Sequence, residues 1–117
     1  METIQNYIGG QYVASQSSRF APVYNPATGK QVRQVVLSSS EEVEKAVAAA
    51  DSAFPAWAKT SPLKRARVMF KFKALLEQNS EELAKLISQE HGKVYSDALG
   101  ELTRGLEVVE FACGIPH

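Results

Sequence analysis

At 117 residues the chain is long enough for one domain with a modest core, and its 44% hydrophobic and 22% charged residues are ordinary for a water-exposed protein. Thirteen Lys+Arg balance thirteen Asp+Glu, which leaves no long-range attraction for nucleic acid or an acidic membrane. One cysteine excludes an internal disulfide, no apolar run reaches membrane-spanning length, and the amino terminus lacks a basic-then-apolar signal, so a reduced cytoplasmic setting is the expectation.

In chain order, IQNYIGGQYV (4–13) reads as two short strands around Gly9-Gly10, a pair suited to a tight hairpin turn. Ser15 to Arg19 is a polar link, and Phe20 to Tyr24 is a further extended piece. Asn25-Pro26-Ala27-Thr28-Gly29 is a strong turn signal, because proline fixes one dihedral and Gly29 permits a left-handed one. Lys30 to Leu37 alternates well enough for another strand. The strands, at about 4–37, are expected to form a small antiparallel sheet of limited independent stability.

Three or four helices are expected next, at about 40–54, 62–78, 80–91 and 95–113. Ser39 followed by Glu42 is a capping-box pattern. Val43, Ala46, Val47, Ala50, Ala53 and Phe54 then share one narrow apolar face, whose alanines need a close partner. Pro55 should end or kink that helix, with Trp57 packed into a core beyond the corner. Ser61-Pro62 supplies a cap and a first-turn proline for the second helix. Leu63, Ala66, Met69, Phe70, Phe72, Leu75 and Leu76 give it a broad apolar face, and its basic residues Lys64, Arg65, Arg67, Lys71 and Lys73 read as solvated surface. Asn79-Ser80-Glu81-Glu82 breaks the rhythm before a third helix that Gly92 closes. In the last helix Ala98, Leu102, Leu106, Val109 and Cys113 recur at three- and four-residue steps and make one stripe.

Chemistry-bearing residues are few. His91 beside the Gly92 cap is an acid–base group by type, but at that place it reads first as a partner of the helix terminus. His117 carries no assignment, and the two histidines and Cys113 make no metal motif. Cys113 lies on the apolar stripe without an adjacent base, so it reads as a buried small hydrophobe rather than a nucleophile. Neither Gly9-Gly10 nor Asn25–Gly29 has phosphate-loop spacing. The most informative residue is Arg104, between Gly100 and Gly105 with Glu101 and Glu107 nearby. By pattern alone it reads first as a structural or surface arginine held by those carboxylates. Its fixed fork of donors also suits a ligand carboxylate.

YIGGQYV, YNPATG, EEVEKAVAAADSAFPAW, the S-P-L-K-R-A-R helix and EHGK, in that order, resemble the beginning of an aldehyde dehydrogenase. DALGELTRGLEVVEFACG is similar to the coenzyme-A-acylating branch of that superfamily, which acts on methylmalonate semialdehyde. The resemblance covers nearly the whole chain. It implies an α/β fold in which residues 1–117 are the amino-terminal part of the nucleotide-binding region. Strands and helices would pack on a modified Rossmann domain whose core lies downstream, and the catalytic domain would be absent.

The resemblance further implies an NAD-dependent enzyme in which a downstream cysteine forms a thioacyl intermediate and coenzyme A takes the acyl group. Methylmalonate and malonate semialdehydes would yield propionyl- and acetyl-coenzyme A, as in valine catabolism. It places no catalytic, cofactor-binding or metal-binding residue in this chain, and the segment alone would be inactive. The helix matching Leu99–Cys113 would border the aldehyde tunnel, which makes Arg104 a ligand for the substrate carboxylate. A small carboxylated aldehyde is the expected partner, nucleic acid and membrane are not, and the parent enzyme would be a homotetramer or homodimer. Two alternatives remain: another NAD(P)-dependent aldehyde dehydrogenase that forms a free acid, and a short non-catalytic interaction domain.

Overall fold

A computed structural model describes residues 1–117, which divide into two compact units, Met1–Lys59 and Thr60–His117. The first unit contains five short strands, β1 (Glu2–Ile4), β2 (Asn6–Ile8), β3 (Gln11–Val13), β4 (Phe20–Asn25) and β5 (Lys30–Val36), followed by helix α1 (Ser40–Lys59). The second contains α2 (Pro62–Gln78), α3 (Ser80–His91) and α4 (Tyr95–Gly114). Mixed strands followed by four helices agree with an α/β amino-terminal segment of the aldehyde dehydrogenase type.

In the first unit β2 and β3 form the hairpin around Gly9 and Gly10, whose φ values of 61° and 80° lie in the left-handed region. Tyr7 and Tyr12 stand opposite each other across it, with ring centroids 5.1 Å apart in an edge-on arrangement. The other sheet has the order β1-β5-β4. Its β4–β5 pair is antiparallel, but β1 runs parallel to β5, so the expectation of purely antiparallel strands is corrected to a mixed sheet. The chain between β1 and β5 contains the hairpin and β4, which gives it length enough to bring β1 back alongside in the parallel sense. At the β4–β5 turn Asn25 acts twice. Its backbone carbonyl accepts from the amides of Thr28 and Gly29, and its side-chain oxygen accepts from Ala27.

The Ser39 capping box forms: Ser39 Oγ accepts from the Glu42 amide, and Glu42 Oε2 accepts from the Ser39 amide at 2.8 Å. Glu42 does more than cap. Its other oxygen accepts from the Gln16 amide at 3.1 Å, and the Ser15 hydroxyl adds a further donor. The carboxylate thereby ties the first turn of α1 to the β3–β4 connection, and Glu42 is buried, at 9% exposure. These donors, Ser15 first, hold its carboxyl below the ordinary glutamate value of 4.5.

The expected end of this helix near residue 54 is corrected. The helix continues through Pro55 to Lys59. Proline removes one backbone donor and crowds the preceding turn, but the flanking alanines favour the helical state strongly enough to carry it past the defect. Trp57 therefore belongs to the last turn of α1 and is 46% exposed, not packed in a core. Every residue from Ala50 to Lys59 is exposed.

In the second unit α4 packs against both α2 and α3. Small side chains allow the approach: Ala66, Ala84, Ala98 and Cys113 are buried, from α2, α3, α4 and α4 respectively. No large side chain is fully buried. The covered residues of α2 are Arg65, Ala66, Met69, Lys73 and Leu76, an apolar face narrower than the one expected from its sequence; Leu63, Phe70, Phe72 and Leu75 are exposed, and Arg65, read as solvated surface, is half-buried and donates to the Thr60 carbonyl. Lys73 is not a solvated surface residue. Its ammonium lies 2.6 Å from Glu77 and 4.0 Å from Glu110 of α4. Ser61 caps α2, its hydroxyl accepting from the Lys64 amide. Gly92 closes α3 at φ 85°, donating its amide to the Ser88 carbonyl.

Candidate functional site

The functional candidate on this chain is built on the first half of α4 and the link that precedes it. The left-handed turn at Gly92 reverses the chain out of α3, so Lys93 and Val94 form a short link before α4 begins at Tyr95. Ala98, Leu102, Leu106, Val109 and Cys113 all turn inward or partly inward, and this fixes the rotation of the helix. With that stripe seated, Arg104 must lie on the open side, and it is exposed.

Arg104 makes no ion pair with Glu101, Glu107 or any other carboxylate. The reading in which those glutamates hold it is corrected: Glu101 has another partner. Its carboxylate accepts from the Lys93 ammonium at 2.6 Å, and the Lys93 side chain as a whole is 18% exposed. The Lys93 hydrogen bond holds the Glu101 carboxyl below the ordinary glutamate value, and the charges of Lys93, His91 and Arg104 pull in the same direction. Arg104 therefore feels Glu101 without being bound to it. Its guanidinium instead folds back one turn toward Gly100, where a β-carbon would sit 3.7 Å from Nη1.

The arrangement is a free guanidinium on a braced helix, able to bind an anion but unable to transfer a proton or a hydride. Lys93 was not singled out in the sequence. A basic residue directly after a helix-closing glycine, with a glutamate at the second turn of the next helix, is the signal that could have found it. Cys113 is 2% exposed and unpaired. His91 ends α3, His117 is exposed, and no group of three His, Cys, Asp or Glu side chains is arranged to hold a metal ion. The left-handed glycines sit in the hairpin, the β4–β5 turn and the α3 cap, none at a strand-to-helix phosphate loop. No helix is long and apolar enough to cross a membrane.

The aldehyde dehydrogenase family profile matches residues 12–117, and the chain belongs to that family. It is 54% identical over 115 residues to a malonate-semialdehyde dehydrogenase 2 of Bacillus cereus, covering 98% of this chain and 24% of that protein. The crystal structure of methylmalonate-semialdehyde dehydrogenase from Oceanimonas doudoroffii superposes with a TM-score of 0.95 at 54% identity, over 99% of this chain and 24% of that one. An NAD-bound structure from Sinorhizobium meliloti 1021, assigned to the same enzyme class, gives 0.96 at 47% identity over 100% and 24%. The chain thus spans about a quarter of the length of the relatives it matches.

Proposed function

We propose that this chain is the amino-terminal segment of an NAD-dependent, coenzyme-A-acylating dehydrogenase of methylmalonate and malonate semialdehydes. The names carried by its relatives at 47–54% identity support that substrate class. The overall change is oxidation of the aldehyde carbon by NAD, transfer of the acyl group to the coenzyme A thiol, and loss of the carboxylate as carbon dioxide. Propionyl- or acetyl-coenzyme A is the product, as valine catabolism requires. NAD, coenzyme A and the cysteine nucleophile belong to residues of the parent enzyme outside this chain. The segment alone is inactive. The parent enzyme is a cytoplasmic homotetramer or homodimer.

The observation that carries the role of this segment is Arg104: exposed, without an ion-pair partner, and mounted on the rigidly seated α4. A small aldehyde bearing a carboxylate needs an opposing cation in a confined site, and a guanidinium meets a carboxylate with two parallel donors. Losing one partner of such a desolvated pair costs about 2–5 kcal/mol, or roughly 30- to several-thousand-fold in kcat/KM. The test is an Arg104→Met variant of the full-length enzyme, assayed on malonate semialdehyde and on propanal. The expected outcome is a loss of that size on the carboxylated substrate alone. Equal losses on both remove the carboxylate-reading role. Release of a free acid instead of an acyl-coenzyme A places the protein with the free-acid dehydrogenases.

A further inference from the structure

We infer that Lys93 is a positioning residue that keeps Arg104 available by occupying the carboxylate that would otherwise capture it. The inference rests on the reading of Arg104 as the substrate-carboxylate ligand and adds a second determinant of specificity.

Glu101 lies three residues before Arg104 on α4, where side chains are surface neighbours able to pair, and an acid on the N-terminal side of the base is the better-placed partner. Here they do not pair. Glu101 is drawn the other way, onto the Lys93 ammonium at 2.6 Å, and Arg104 turns back over Gly100. Lys93 can reach because the Gly92 turn places it outside α3, just before α4 starts, and because its side chain is mostly covered. The Lys93 ammonium has Glu101 as its one ion-pair partner. A guanidinium already bound to an internal carboxylate must release it before taking a substrate carboxylate, and the apparent affinity falls by the fraction that is free. Lys93 removes that competition without touching the substrate. Glu107, on the other side of Arg104, likewise forms no ion pair, so the fork faces no bound carboxylate from its own helix.

The test is made in the full-length enzyme with malonate semialdehyde and propanal as paired substrates. Lys93→Met frees Glu101 to capture Arg104, and KM for malonate semialdehyde should rise about three- to tenfold, with kcat and the propanal constants unchanged. The double change Lys93→Met/Glu101→Gln removes the competing charge and should bring KM back to within about twofold of the parent. Lys93→Arg, which can keep the pair, should stay at the parent value and serves where the methionine variant folds poorly. A double variant as impaired as the single one, or a Lys93→Met loss shared equally by propanal, overturns the inference and leaves the pair as a structural brace. The parallel Arg104→Met measurement separates the two failures. A selective loss there with a silent Lys93→Met sinks only the Lys93 role. No selective loss at Arg104 sinks the reading on which it rests.

Discussion

Helices α1 and α4 have the same length, 20 residues, and both carry an apolar stripe at helical spacing, yet they meet different fates. On α4 the stripe is covered. Ala98 is fully buried, Cys113 is 2% exposed, and Leu102, Leu106 and Val109 are partly enclosed by neighbours on α2 and α3. On α1 the large side chains of the stripe are bare: Val43, Val47 and Phe54 are each more than half exposed, and Trp57 nearly so. The only buried residue of α1 is the polar Glu42, which anchors its first turn through hydrogen bonds. Periodicity tells which side of a helix wants cover. Whether cover arrives depends on the neighbours that the rest of the chain supplies, and α4 finds them in α2 and α3.

Substituting on the two stripes gives the largest expected contrast. Ala98→Leu forces a larger side chain into a site with no free surface and should destabilise the 117-residue chain by about 1–3 kcal/mol. Phe54→Ala on the bare stripe should change its stability by no more than about 0.5 kcal/mol. Chemical denaturation of the two variants reads both, and a Phe54 effect as large as that of Ala98 would break the comparison. In a longer enzyme that covers α1, the Phe54 change should instead cost about 3–5 kcal/mol.

A smaller effect sharpens the role of Glu42. Its folded-state pKa is depressed, so its contribution to stability is complete above the ordinary value of 4.5 and is lost as pH falls through the lower folded value. Thermal melts of the parent chain should therefore fall off more steeply below pH 4.5 than those of Glu42→Gln. Glu81 and Glu101 are also depressed and contribute their own slopes, so the difference between parent and variant is the quantity that reports Glu42. Parallel acid profiles would mean that Glu42 does not hold the β3–β4 connection to α1.

Much of this was legible in the sequence for local reasons. Capping box, hairpin glycines, the Asn25 turn and the α4 stripe each depend on residues within a few positions of one another. The misses depend on longer range. The parallel placement of β1 beside β5 needs a pairing across about thirty residues that no local pattern announces. Passage of α1 through Pro55 reflects a balance between one unfavourable residue and the alanines around it. At the site, Arg104 was visible from its glycine and glutamate neighbours, but its state was not. Reading Glu101 as its partner followed from helical spacing, and only the fold shows that Lys93, from the preceding link, occupies that carboxylate first.

The central claim is that Arg104 reads the substrate's carboxylate, and a structure of the full-length enzyme with malonate semialdehyde or a stable carboxylated analogue bound tests it most directly. The account predicts the Arg104 fork at about 2.7–2.9 Å from the ligand carboxylate, with Glu101 still on Lys93. A ligand carboxylate held by other cations, with Arg104 turned onto Glu101 or left in solvent, would contradict it.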